Sequence, residues 1–148
     1  MHEITEKRYE RLVREYIGDP VGATSFGASR HFTAPGGQVR STIYDMALFA
    51  IGVMDGRYVT IDLLNDLMFK SYAQDQYGQI CLGWYCSDLG GPGLTLYHAG
   101  SNGRPRAYLR IKPIQGLAVA ITGVNKYKDG AHDFEALSLE FIDFLEQE

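Results

Sequence analysis

The chain has 148 residues, 45% of them hydrophobic and 22% charged, the balance of an ordinary globular protein. One domain is expected at this length, burying roughly 68–70% of the surface its unfolded form exposes. With 14 basic against 18 acidic residues and a formal net charge of −4, it lacks the basic surplus of a nucleic-acid binder. No apolar run approaches the ~18 residues that span a bilayer.

Residues Met1 to Arg8 contain no apolar stretch of the kind that drives secretion. A chain complete as it stands would therefore be expected in the cytoplasm. Residues 5–17 read as a helix, with Tyr9, Leu12, Val13, Tyr16 and Ile17 at helical spacing, Thr5 as N-cap, and Gly18 and Pro20 as the stop. Residues 18–40 read as loop, rich in Gly, Ser, Thr and Pro. A second helix starts near Ser41 or Thr42, where Thr42 and Asp45 have the spacing of a capping box. Met46, Ala47, Ala50, Val53 and Met54 form its apolar face, and Asp55-Gly56 ends it. Tyr44 falls on its surface. Thr60 is the expected cap of a third helix, with Ile61, Leu64, Leu67 and Met68 on one face.

The pattern then changes to strands. Gln79–Cys86 reads as one strand containing Trp84 as a core residue. A Gly-rich turn covers Ser87–Gly93, followed by a short strand over Leu94–His98. Arg106–Lys112 alternates Arg106, Tyr108, Arg110 and Lys112 with Ala107, Leu109 and Ile111, the signature of a half-exposed strand. On that reading Arg104, Arg106 and Arg110 form a solvated face. Pro113–Gly116 is a hairpin turn, and the apolar Leu117–Val124 is expected as a central, covered strand. Residues 132–148 read as a closing helix with Phe134, Leu137, Phe141, Ile142 and Leu145 inward. Helices and strands are segregated, so the expected class is α+β: an antiparallel meander of about four strands, preceded by helices, with a C-terminal helix packed on it.

Cys81 and Cys86 would lie on opposite faces of a single strand 79–86, so they are expected as two small buried side chains and not as a disulfide. His2, His31, His98 and His132 are scattered, so neither a metal site nor a cofactor is expected.

The stretch with most chemical content is Tyr97-His98-Ala99-Gly100-Ser101-Asn102. It places an imidazole beside a glycine at a strand end. A glycine there lets a ligand approach the backbone, and the amides after it can receive an anionic oxygen. Alone, His98 reads rather as a strand-end histidine hydrogen-bonded to a neighbour, Ser101 as a turn residue, and Asn102 as a turn residue at least as readily as a substrate contact.

Four segments, in order, resemble the C-terminal half of the serine β-lactamase and penicillin-binding protein superfamily, in particular its class C-like β-lactamase, esterase and D-aminopeptidase branch. Tyr9–Thr24, ending Gly18-Asp19-Pro20-Val21-Gly22-Ala23-Thr24, is similar to the family's helix and following turn. Ala34-Pro35-Gly36-Gly37 through Ser41-Thr42-Ile43-Tyr44-Asp45 resembles its next helix start. Leu82-Gly83-Trp84 resembles its Gly-rich strand, and His98-Ala99-Gly100 its Lys/His-x-Gly motif, with Ile111–Val119 as the hairpin that follows and Asn125 at the end of that segment. The family's Pro-Gly-aromatic run after this motif is replaced by Gly103-Arg104-Pro105.

The resemblance implies a mechanism in which a serine attacks an amide, β-lactam or ester carbonyl of a small acyl substrate and forms an acyl-enzyme that water clears. It implies that His98 orients the reacting groups, that the Ser101 N–H is one oxyanion donor, and that Gly100 and Asn102 contact substrate. The family's nucleophile lies in Ser-x-x-Lys and its partner base in Tyr-x-Asn. None of Ser25, Ser29, Ser41, Ser71, Ser87, Ser101 and Ser138 has Lys three residues on, and no Tyr has Asn two residues on. The expected reading is thus the C-terminal part of such a hydrolase, inactive alone. The alternative is a non-catalytic ligand-binding or interaction module built on that fold. Without the strands and helical domain that the family's N-terminal part supplies, a sheet edge or apolar face is left uncovered, so a homo-oligomer is expected.

Overall fold

The structure is a computed structural model describing residues 8–28, 37, 39–60, 63, 70, 72–76, 78–88, 91–101, 105–124 and 131–147. The chain divides into two compact units, Met1–Tyr58 and Val59–Glu148.

In the first unit, helix α1 (Tyr9–Val13) continues into a wider π-type turn over Arg14–Gly18 and a tighter 3-10 turn over Asp19–Val21. The helix expected over 5–17 is thus drawn from two helical geometries, and its expected cap, Thr5, lies outside the described residues. Pro20 sits in the first positions of the 3-10 turn, where its missing N–H costs nothing. Val13, Ala23 and Phe26 form the unit's core, with Tyr9, Ile17, Val21, Leu48 and Phe49 packed around them.

Helix α2 (Ile43–Met54) begins where its sequence indicates. The Thr42 hydroxyl accepts the Asp45 N–H at 3.2 Å. The reciprocal half of the capping box is rerouted through Ser25. The Thr42 N–H donates to Ser25 Oγ at 2.9 Å, and the Ser25 N–H donates to the Asp45 carboxylate at 2.6 Å. The Ser25 hydroxyl and amide hold the Asp45 carboxyl below its ordinary value, against the opposing effect of burial. A two-way backbone bridge between Gly27 and Arg40 pins the same loop to the helix start. Ala50 and Val53 are buried as expected, whereas Ala47 is exposed and Tyr44 lies on the surface. The Tyr58 hydroxyl donates to the Ile17 carbonyl at 2.9 Å, and burial pushes its ionisation up to about 12.

In the second unit, the Thr60 hydroxyl accepts the Leu63 N–H at 3.2 Å. Ile61, Leu64, Leu67 and Met68 of the expected third helix lie outside the described residues. The strands β1 (Ala73–Asp75), β2 (Gly78–Cys81), β3 (Trp84–Ser87), β4 (Thr95–Ser101), β5 (Pro105–Lys112) and β6 (Leu117–Val124) form one antiparallel sheet in sequential order. Helix α3 (Ala131–Leu145) packs on β5 and β6. The class is α+β, with six strands where about four were expected.

One of the two additional strands is β1, and the other arises at Leu82-Gly83. Both residues have positive φ, 42° and 84°, the backbone of the two-residue turn that suits the twist of a hairpin. The single strand expected over 79–86 is therefore folded in half. This overturns the expectation for the cysteines. Cys86 lies opposite Gln79, and Gln79 shares a face with Cys81. The two sulfurs meet in a disulfide, with the Cα atoms 6.2 Å apart, and both residues are buried. Alternation along one strand does not govern two residues on either side of a turn.

Two further expectations are corrected. Leu117–Val124 is the last strand in the sheet order, not a central one. Its apolar character reflects α3 covering one face. The inward face of α3 is also rotated. Ser138 and Ile142 are buried, whereas Leu137, Phe141 and Leu145 are 38%, 49% and 41% exposed. Gly123 admits this rotation, because a Cβ there would stand 2.7 Å from the Phe134 ring.

Thr42→Ala is expected to lower stability by about 1 kcal/mol in urea unfolding. The contribution of Asp45 is complete above about pH 4 and is lost as pH falls through its depressed value, so Asp45→Asn should flatten the acid limb of the stability curve. Intact mass under non-reducing conditions should show no free thiol. Cys86→Ala should cost about 2 kcal/mol, the loop-entropy value for so short a loop.

Candidate functional site

His98, Gly100 and Ser101 all lie on β4 and are exposed, while Asn102 lies outside the described residues. β4 has two neighbours over only part of its length. Ser87, Cys86 and Tyr85 of β3 pair with Thr95, Leu96 and Tyr97. From His98 to Ser101 the described pairing is with β5 alone: Leu109, Tyr108, Ala107 and Arg106 in turn. The far half of β4 thus presents backbone amides and carbonyls along its β3 side that no described strand meets.

Alternation divides the site residues between two faces. His98 and Gly100 share one face with Leu96. Ala99 and Ser101 point to the other, toward α3. The His98 and Ser101 side chains are therefore not brought together. The role read for Ser101 belongs to its backbone N–H, which lies in the plane of the sheet and on neither face. The His98 ring is 6.0 Å from the Tyr85 ring. A Cβ at Gly100 would meet no atom closer than Ala107 Cβ, at 4.0 Å. Packing within the chain does not demand a glycine there.

On the α3 face, Ala99, Ser101, Arg106, Tyr108 and Phe134 border a cavity of about 70 Å³. That is well short of the ~300 Å³ at which small-molecule pockets begin. Among the described residues no group of three His, Cys, Asp or Glu side chains could hold a metal ion. No described helix is long and apolar enough to cross a membrane.

Below that cavity lies a cluster the sequence reading did not anticipate. Arg110 is only 6% exposed, not part of a solvated face. Its Nε donates to Ser138 Oγ at 3.0 Å, and an Nη donates to the Tyr108 hydroxyl at 2.8 Å. Its guanidinium lies 5.1 Å from the Tyr97 ring centre and 5.6 Å from that of Tyr108, within cation–π range. Glu135 Oε1 stands 3.9 Å away. Ser138 passes its own proton to the Glu135 carbonyl at 2.7 Å. Burial raises the pKa of both Tyr97 and Tyr108, and nearby Glu135 adds to this while Arg110 opposes it. The signal available in the sequence was Ser138, a small polar residue on the same helical row as Phe134 and Ile142, with an arginine two residues from a tyrosine on the strand expected beneath it.

No protein-family model matches this chain, and no curated protein matches it. An exposed imidazole beside an open strand edge can hold an extended ligand by strand addition and steady a polar group of that ligand. It can position a carbonyl.

Arg110→Ala should cost about 2–4 kcal/mol in chemical unfolding, because it leaves the Ser138 and Tyr108 hydroxyls buried without the guanidinium. Arg110→Met, which keeps the volume, should recover only the packing part of that loss, because both hydroxyls still lose the guanidinium.

Proposed function

We propose that this chain is the C-terminal part of a β-lactamase-like serine hydrolase, acting through an acyl-enzyme on an amide, β-lactam or ester, with its nucleophile supplied by a preceding segment. The observation that carries this reading is the open β4 edge from His98 to Ser101. A Lys/His-x-Gly strand has to present its amides sideways to the substrate, and this stretch is exposed and paired on one side only.

In this reading the substrate backbone lies along β4 and its carbonyl oxygen approaches the Ser101 N–H. Gly100 leaves room for that approach. His98, at the edge of the same stretch, orients the reacting groups. One oxyanion donor of this kind contributes roughly 2.7–4 kcal/mol to a serine hydrolase barrier. It has no effect without the attacking serine. Asn102 is proposed as a substrate contact by resemblance alone. Reading the chain as a non-catalytic binding module is favoured by one fact: no serine here carries the required lysine three residues on.

We also propose that the chain self-associates. The buried Cys81–Cys86 disulfide supports folding in an oxidising compartment over the cytoplasm.

A fluorophosphonate or penicillin probe should leave this chain unlabelled. Joining the coding sequence upstream of Met1 should restore labelling and turnover, and His98→Ala in that longer protein should reduce turnover at least tenfold. Labelling of the isolated chain would contradict the proposal. An upstream sequence without Ser-x-x-Lys would favour the binding module.

A further inference from the structure

The register places Tyr85 of β3 directly opposite Tyr97 of β4, at the point where the described pairing of these strands ends. His98, the next residue of β4, is exposed and is paired with β5 alone. Its ring nevertheless meets that of Tyr85. The centroids are 6.0 Å apart and the planes are inclined at 40°, within the 4.5–7 Å range of attractive ring pairs.

The Tyr85 ring is itself held at two points. It stacks on the Tyr97 ring at 5.6 Å, with the planes 22° apart. Its hydroxyl donates to the Asp75 carboxylate of β1 at 3.0 Å. Tyr97 is seated in turn. The Arg110 guanidinium lies 5.1 Å from its ring centre. Its hydroxyl lies over Gly78 of β2, where a Cβ would stand only 2.5 Å away. A histidine at a strand surface samples several rotamers, and confining it to one costs entropy. A fixed ring beside His98 excludes some of those rotamers before any ligand arrives.

We propose that Tyr85 is a positioning residue for His98. Anchored by Tyr97 and Asp75, it holds the imidazole in one rotamer where the open edge of β4 begins. The contact stands on geometry alone, and its consequence for turnover rests on the hydrolase reading. An imidazole that orients reacting groups has to be held within about 0.5 Å of its productive place by neighbours that are themselves fixed.

Nuclear magnetic resonance of the full chain tests the contact. The His98 ring protons should resonate upfield of their position in a short peptide and cross-relax with the Tyr85 ring protons. The His98 α–β couplings should be those of a single rotamer. Tyr85→Phe keeps the ring and its stack on Tyr97, and should keep most of the upfield shift. Tyr85→Leu should abolish the shift and average the couplings. Averaged couplings in the wild type overturn the proposal, as does an unchanged His98 shift in folded Tyr85→Leu. Where Tyr85→Leu does not fold, the wild-type couplings and cross-relaxation decide. In the longer protein, Tyr85→Leu should lower kcat at least tenfold with KM within about twofold, and Tyr85→Phe should restore most of the loss. Unchanged kcat in Tyr85→Leu alongside an impaired His98→Ala overturns the proposal. A His98→Ala protein of full activity instead overturns the hydrolase role of His98, and the resonance data still decide the contact.

Discussion

The second unit is organised around a guanidinium buried between a helix and a sheet. Arg110 reaches Ser138 on α3 and Tyr108 on its own strand, and lies against the Tyr97 ring on the next strand. Taking an arginine out of water is costly unless its donors are satisfied. Hydrogen bonds to two hydroxyls, two aromatic faces and a nearby carboxylate provide that compensation. The requirement is directional, since a planar guanidinium meets these partners in one helix orientation. It sets Ser138 and Ile142 inward, lays Phe134 on Gly123, and turns Leu137, Phe141 and Phe144 outward. An apolar contact alone would not discriminate so sharply among rotations of α3.

That orientation has consequences at both sides of the three long strands. On the β6 side it exposes an apolar flank of α3. At the far end of β4 it closes the α3 face around a small cavity, so Ser101's side chain has no route to His98. What β4 offers to a ligand is its open edge and its other face. The site is thus defined by where pairing stops. The described β3 pairing stops at Tyr97, and the four residues that follow include the imidazole and the glycine.

The local signals in the sequence were read well where the physics is local. Thr42 and Asp45 located α2 because a cap depends on a few neighbouring atoms. Pro113–Gly116 located the β5–β6 hairpin for the same reason. The failures share a different cause. The Leu82-Gly83 turn uses a leucine at positive φ, which composition does not announce, and the disulfide follows from that turn. Arg110 and the rotation of α3 depend on each other across 28 residues of sequence, so neither could be read alone. Apolar content marked β6 as covered, but one covered face and two are hard to tell apart in a strand of small residues. The candidate site was legible as a strand end bearing His98 and Gly100. Its open side was not, because that depends on the length of β3.

The central claim is that β4 is paired on both sides at Leu96 and Tyr97 and on one side from His98 to Ser101. Amide hydrogen exchange measured residue by residue tests it directly. Leu96 and Tyr97 should both exchange slowly. Within His98–Ser101, slow amides facing β5 should alternate with amides that exchange orders of magnitude faster. Uniform protection through Ser101 would mean that the edge is occupied, and would contradict the account.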